Sequence, residues 1–130
     1  MSDVAALPQG DLTLRTQAMP ADANAAGDIF GGWVMSQMDL ASGIRAAERV
    51  RGRVVTAAVR EMAFRKPVKI GDTLCVYTTI EKIGRTSVTL KVEAWVRRYI
   101  TQELENVTSA EFVMVALDVT GRPTPVPKEL

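Results

Sequence analysis

The residues best suited to chemistry lie in the stretch from Met19 to Glu48. Asp39 lies there among apolar and small residues, and the glycine pair Gly31-Gly32 precedes it. The chain has no histidine, which excludes Ser/His/Asp and Cys/His nucleophiles, a histidine base and histidine-ligated zinc. If the protein is an enzyme, its acid or base is therefore expected to be a carboxylate, and Asp39 is the first candidate.

Each of these residues also has an ordinary structural interpretation. Asp39 could be a polar residue on an exposed helix face, Gly31-Gly32 the turn that begins a helix, and Asn24 a turn residue. Two specialised sites are excluded by the pattern. The segment from Asp22 to Gly27 lacks the third ligand and the closing glutamate of a calcium loop, and no Lys-Ser/Thr pair follows the glycines, as a phosphate-binding P-loop requires.

Hydrophobic periodicity predicts that one helix carries Asp39, beginning at Gly31 or Gly32 and ending near Val50. The predicted core-facing stripe consists of Val34, Met38, Ala41 and Ile44. Asp39 lies off this stripe, on a second face made mainly of small residues, namely Met35, Ser42, Gly43 and Ala46. Small residues let another backbone approach, so this face predicts a homodimer in which a two-fold axis brings the same face of each chain together.

After Gly52 the pattern changes to the two-residue period of β-strands. The clearest alternation lies in the segment Thr86–Arg97. It places Trp95 on the polar face of that strand, which is therefore expected to be partly covered. The polar segment 99–105 predicts a connection. One strand before the helix and four after it predict an α+β fold in which an antiparallel sheet of about five strands wraps a long central helix. The predicted strands are Asp11–Ala18, Arg53–Phe64, Thr73–Ile83, Thr86–Arg97 and Val107–Leu117.

The composition narrows the class of protein. The 130-residue chain is 47% hydrophobic and 24% charged, with a formal net charge of +1, which fits one globular domain and argues against a nucleic-acid-binding module. The single cysteine, Cys75, excludes an intramolecular disulfide, and residues 1–10 do not resemble a secretory signal. No apolar stretch is long enough to span a membrane. We expect a cytoplasmic protein with a flexible segment 1–10, a single domain 11–120 and a Pro-rich tail 121–130.

Three separated segments closely resemble the hotdog-fold acyl-CoA thioesterases of the YciA type. They are MPADANAAGDIFGGWVMSQMD, VVTAAVREMAFRKPVKIGD and GRTSVTLKVEAWV, in the order and spacing of that family. The resemblance extends over nearly the whole chain, from Asp11 to Pro127. It implies a hotdog fold, hydrolysis of acyl-CoA thioesters, a homodimer as the minimal unit and often further assembly into a trimer of dimers. Hexamers and tetramers are both compatible with the sequence.

The resemblance also implies roles for individual residues. It places the catalytic carboxylate on Asp39, the active-site amide on Asn24 and the substrate-facing helix start on Gly31 and Gly32. In this scheme, the backbone N–H groups of the glycines bind the oxyanion, and Asn24 holds the water or the carbonyl. Asp39 acts as a general base or attacks the carbonyl directly. No metal or redox cofactor is expected, and coenzyme A is part of the substrate.

Further residues are expected to contact the substrate. Phe30 replaces the histidine of the His-Gly-Gly sequence found in many other hotdog thioesterases, as in the YciA type, and Ser87, next to Thr86, matches a position near the active site of such proteins. The phosphates of coenzyme A favour basic residues on an accessible rim. Ordinary charge on a solvated turn explains any one of the candidates equally well. These candidates are Arg65, Lys66 and Lys69, with Arg85 further away.

The spacing of Gly32 and Asp39 adds a constraint of its own. They share a helix face but are separated by roughly 10 Å along the axis, and the tilt of the Asp39 side chain closes only part of that distance. One thioester carbon cannot readily contact both. We therefore predict that each active site combines the helix start of one protomer with Asp39 of the other.

Two other functions remain to be compared with hydrolysis. Hotdog dehydratases use a histidine that this chain lacks, so that activity fits poorly. A non-catalytic module that binds acyl-CoA and keeps the fold is the main alternative, and the presence of Asp39 argues against it.

Overall fold

The computed structural model describes residues 7–129, which form one long helix and five strands in the predicted order. A short 3₁₀ helix, Pro20–Asp22, lies between the first strand and the long helix. The elements are β1 (Asp11–Gln17), α1 (Gly31–Val50), β2 (Arg53–Phe64), β3 (Thr73–Ile83), β4 (Ser87–Arg97) and β5 (Leu104–Leu117).

The start of β5 differs from the prediction. It begins at Leu104 rather than Val107, because Glu105 and Asn106 pair with Val96 and Trp95 of β4. Glu105 and Asn106 are only half-buried at this end of the hairpin. Pairing there does not require apolar residues, so no hydrophobic alternation marks it in the sequence.

The sheet wraps α1 as the resemblance implies. Its strands are antiparallel in the order β1-β3-β4-β5-β2, and α1 contacts all five of them. The alternation predicted for β4 is confirmed, since one face is fully buried against the helix, namely Val88, Leu90, Val92, Ala94 and Val96. β1 and β2 are the two edges of the sheet, so one edge of β2 pairs with no other strand among residues 7–129.

The faces of α1 differ in part from the prediction. Ile44 is 46% exposed, because ten residues at about 100° each turn it roughly 80° away from Val34. Ser42 and Ala46, predicted on the second face, are instead fully buried. The buried side of α1 consists of Val34, Met38, Ala41, Ser42, Ala46 and Val50. The exposed side that carries Asp39 is therefore more apolar than expected, since it presents Met35, Leu40 and Ile44.

The ends of the described chain lie against the sheet. The Gln9 backbone N–H donates to Glu93, and the Trp95 indole N–H donates to the same carboxylate oxygen. Trp95 is 5% exposed, which confirms that the polar face of β4 is partly covered. At the other end, the tail contains no helix or strand as far as residue 129, but the Val126 N–H donates to the Arg85 carbonyl. Of the segment predicted to be flexible, residues 1–6 lie outside the described residues.

Within residues 7–129, no helix has the apolar length that crossing a membrane requires.

Candidate active site

The start of α1 presents two backbone donors. The Phe30 carbonyl accepts hydrogen bonds from the N–H groups of Trp33 and Val34, at 3.1 and 3.4 Å. Within residues 7–129, the N–H groups of Gly31 and Gly32 have no hydrogen-bond acceptor, as expected for the first residues of a helix. Both glycines are exposed, and a Cβ on Gly32 would meet no atom within 4 Å. An anionic oxygen can therefore approach these donors closely.

A concave surface lies beside these donors, and we call it the helix-start groove. It has a volume of about 340 Å³. Gly31 lines it together with Arg65 and Lys66 at the end of β2 and with Val68. The Val68 carbonyl accepts a hydrogen bond from the Ile29 N–H at 3.1 Å, which fixes the approach of the chain to the helix. The remaining lining residues are Ile29, Val34, Phe64 and Pro67.

Asn24 shapes the loop that precedes α1. Its Oδ1 accepts hydrogen bonds from the N–H groups of Ala26 at 2.9 Å and Asp28 at 3.1 Å. Such a bond two residues ahead is the Asx-turn geometry for which asparagine is favoured in loops. The Nδ2 group donates to none of the described residues. Asn24 therefore has a structural role through its oxygen and a donor available for a ligand.

Asp39 lies at a second concave surface, which we call the α1–β2 groove. The Thr56 hydroxyl donates to Asp39 Oδ1 at 2.5 Å. The groove has a volume of about 600 Å³. Its lining is largely apolar and includes Leu40, Gly43, Ile44, Ala47, Val54, Val55 and Met114. The sequence does not mark Thr56, because a threonine within VVTAAV looks like any β-branched strand residue. Only the packing of β2 against α1 brings its hydroxyl to Asp39.

The two grooves are separate in one chain. They share no lining residue, which agrees with the roughly 10 Å that the helix rise places between Gly32 and Asp39. One protomer thus brings the helix start together with Arg65 and Lys66, but not with Asp39.

Ser87, with Thr86 and Arg85 before it, lies far from the helix start. Across the sheet, Ser87 pairs with Val115 of β5, and Val115 pairs with Val55 of β2. β2 reaches the helix-start groove about nine residues after Val55, at Phe64. At about 3.4 Å per residue, this separation exceeds roughly 25 Å. These residues therefore belong to the same end of the sheet as the α1–β2 groove.

The predicted basic cluster is held by neighbouring side chains. Arg65 donates to the Asn106 side-chain oxygen at 2.8 Å, and Lys66 forms a salt bridge with Glu105 at 3.1 Å. Lys69 forms a salt bridge with Asp28 in the loop before α1. All three basic side chains remain exposed. Arg65 and Lys66 line the helix-start groove, where a negatively charged ligand would meet them, whereas Lys69 contacts only the loop that leads into α1.

A buried ionic network fixes the turn that supports the helix-start groove. Asp72 is 3% exposed and accepts hydrogen bonds from the Lys69 and Tyr99 N–H groups and from the Arg98 guanidinium. Hydrogen bonds from Arg98 and Lys66 lower the pKa of Glu105. Burial works to lower the pKa of Arg98, but its hydrogen bonds with Glu105 and Asp72 outweigh that effect, so its pKa is raised. The network therefore favours the charged forms of Glu105 and Arg98.

Among residues 7–129, no three acidic, histidine or cysteine side chains converge in an arrangement that could hold a metal ion.

Comparison with known proteins decides the family. Residues 26–98 match the profile of the thioesterase superfamily. The chain belongs to the thioesterase superfamily. An acyl-CoA thioester hydrolase YciA of Escherichia coli K12 is 48% identical over 132 residues, covering 99% of this chain and 100% of that protein. The hexameric thioesterase of Yersinia pestis is 49% identical with a TM-score of 0.91, over 95% of this chain and 100% of that one.

A third relative supports the fold of this thioesterase. The hexameric hotdog fold thioesterase of Campylobacter jejuni is 40% identical with a TM-score of 0.85, over 91% of each chain. The resemblance to YciA-type thioesterases and the hotdog fold are therefore both confirmed.

Proposed function

We propose that this thioesterase hydrolyses acyl-CoA to a free acid and coenzyme A, with Asp39 as general base or nucleophile. The observation that carries the proposal is the position of Asp39. Its carboxylate is held by Thr56 at the edge of an apolar groove, where an acyl thioester can present its carbonyl. The similarity to acyl-CoA thioester hydrolases over nearly the whole chain supports the same substrate class.

The residues account for a balanced reaction. As a base, Asp39 accepts a proton from water while the water oxygen attacks the thioester carbonyl carbon. The N–H groups of Gly31 and Gly32 stabilise the resulting oxyanion. The carbon–sulfur bond then breaks, and the sulfur takes the proton from Asp39 to give the thiol. As a nucleophile, Asp39 would instead expel the thiolate to form an anhydride that water opens. Neither route calls for a metal or redox cofactor.

The active site is proposed to form between two protomers. The helix start and Asp39 lie in separate grooves of one chain, so a partner must supply one of them. The unpaired edge of β2 exposes Val55 and Val59, and the adjacent side of α1 exposes Leu40 and Ile44. A two-fold axis beside β2 would bury this apolar surface. The relatives described as hexameric support the further assembly of three such dimers.

The remaining substrate contacts follow from the helix-start groove. The Asn24 amide would donate to the carbonyl or the attacking water. Phe30 is 53% exposed beside the donors and would pack against the substrate. The phosphates of coenzyme A would lie near Arg65, Lys66 and Lys69. Three further candidates lie at the end of the sheet that carries the α1–β2 groove and would contact substrate from the protomer that supplies Asp39; these are Arg85, Thr86 and Ser87.

Release of free thiol from acyl-CoA substrates tests this function. We expect Asp39→Asn to lower kcat/KM by about 100- to 10,000-fold, the range of general acid–base catalysis. Glu48→Gln is the matched control, because Glu48 is exposed on α1 outside the α1–β2 groove. Wild-type activity in Asp39→Asn would exclude the proposed role. Acyl-CoA binding without turnover by the wild-type protein, at every chain length, would instead favour the non-catalytic binding module.

A further inference from the structure

The first turn of α1 has little support of its own. It begins with Gly31 and Gly32, and glycine is the most conformationally permissive residue. The N-cap residue, Phe30, makes no side-chain hydrogen bond to the free N–H groups. A capping side chain would stabilise the turn, but it would also occupy the donors that an oxyanion needs. Another contact therefore has to hold the two glycines in place.

Phe64, near the end of β2, makes a contact of this kind. A Cβ built on Gly31 would lie 3.4 Å from Phe64 Cζ and 3.5 Å from Phe64 Cε2, so the ring packs directly over this glycine. Phe64 is 45% exposed and lines the helix-start groove. The ring thus confines the backbone of Gly31 from one side, while the groove stays open to a ligand.

A β-bulge in β2 turns Phe64 toward the helix. Val59 faces the core opposite the buried Phe112 of β5, so strict alternation would place Phe64, five residues later, on the outer face of the sheet. Between Val59 and Phe64, however, Glu61 and Met62 together oppose a single residue of β5. The extra residue reverses the alternation. Phe64 therefore faces α1.

Glu61 forms this bulge with an unusual backbone. Its φ of 57° is left-handed, a conformation that glycine adopts more readily than glutamate. Glycine is also the usual first residue of a bulge with this backbone. The Glu61 side chain is exposed and has no hydrogen-bond or ion-pair partner within residues 7–129. The contribution of this position to the fold is therefore the direction of the backbone.

We infer that Phe64 is a positioning residue for hydrolysis, which the bulge at Glu61 holds against the helix start. The ring would keep the N–H groups of Gly31 and Gly32 aimed at the oxyanion. The inference rests on the proposed function, which assigns those donors to the oxyanion. A shift of about 1 Å in a catalytic group can lower the rate by about 100-fold. Loss of the ring should therefore lower kcat and leave KM nearly unchanged, because the oxyanion exists only in the transition state.

Substitutions of Phe64 test the contact with the helix start. Release of free thiol from acyl-CoA gives kcat and KM for each variant. In Phe64→Ala, kcat should fall by about 10- to 100-fold. Phe64→Leu keeps an apolar side chain over Gly31 and should recover most of this loss. Phe64→Val should lower kcat by a smaller factor than alanine, and it carries the test if the alanine variant does not fold.

A matched control shows whether any exposed apolar side chain would have the same effect. Leu12 is 50% exposed on β1, at the other edge of the sheet from β2. Leu12→Ala removes a comparable amount of exposed apolar surface and should keep the wild-type kcat.

Substitutions of Glu61 test the bulge. Glu61→Gly keeps the left-handed backbone and should keep the wild-type kcat. Glu61→Val disfavours that backbone and should lower kcat by about tenfold and the melting temperature by about 2–8 °C. Arg51 is the matched control, because its φ of 55° is also left-handed but it lies at the end of α1. Arg51→Val should lower the melting temperature by a similar amount without lowering kcat.

Three results would overturn the inference. Wild-type kcat in Phe64→Ala would mean that the donors do not depend on the ring. A raised KM with unchanged kcat would mean that the ring binds substrate instead of positioning the helix start. Equal losses of kcat in Glu61→Val and Arg51→Val would mean that only general stability had changed. Failure of the proposed function looks different, because the wild-type protein itself would then release no thiol from any acyl-CoA.

Discussion

Replacement of Thr56 by valine tests whether the contact between Thr56 and Asp39 orients the carboxylate. Valine keeps the branched shape but removes the hydroxyl that donates to Asp39 Oδ1. A hydrogen bond to a charged group contributes about 1.5–3 kcal/mol, so its loss should lower kcat/KM by about 10- to 150-fold. Because Thr56 would position Asp39 rather than bind substrate, we expect the loss in kcat rather than in KM. Thiol release under single-substrate steady-state conditions measures both.

The conservative variant and a matched control make this test specific. Thr56→Ser keeps the donor and should retain activity within a few-fold of the wild-type protein. Thr89→Val makes the same chemical change at another half-buried threonine, on β4, and should have little effect on kcat. In an Asp39→Asn background, Thr56→Val should cost nothing further. Wild-type kcat in Thr56→Val, or equal losses in the serine and valine variants, would refute the reasoning.

Three further predictions concern the supports of the site. Asn24→Asp keeps the oxygen that accepts from the loop but loses the amide donor, so kcat should fall while the melting temperature changes little; Asn24→Ala should lower both. Asp72→Ala removes the buried partner of Arg98. It should lower the free energy of unfolding, measured in urea, by about 3 kcal/mol. This is the lower end of the range for a broken buried ion pair, because Glu105 still pairs with Arg98. The folded-state pKa of Glu105 lies below its ordinary value of 4.5, so its stabilisation is present above pH 4.5 and is lost as the pH falls through the folded-state pKa. The stability difference between the wild-type protein and Glu105→Gln should therefore shrink in acid.

The sequence predicts most of the fold because the strands alternate and the helix is long. Where it fails, the cause is local. Residues at the start of β5 are polar because they lie at a half-buried hairpin end, and alternation cannot mark them. The periodicity predicts Ile44 in the core, because its spacing drifts only slowly from the buried stripe over three turns. Ser42 and Ala46 are small, and small residues also fit a surface that another backbone approaches.

The sequence predicts that the candidate site is divided into two half-sites, but it does not predict every residue of them. The seven-residue separation of Gly32 and Asp39 already predicts two separate half-sites on an α-helix. Thr56 could not be identified, since its contact with Asp39 depends on which strand flanks the helix and on its register. The distance of Ser87 from the helix start likewise depends on strand register, which no local motif contains.

Subunit mixing tests the shared active site most directly. Asp39→Ala chains and Asn24→Ala chains each lack one half of the site. The two are mixed in equal amounts, and mass spectrometry verifies that subunits have exchanged. If each site combines the helix start of one protomer with Asp39 of the other, about half of the dimers are mixed and one of their two sites is intact. Activity should then recover to about a quarter of the wild-type value. No recovery after verified exchange would contradict the shared site.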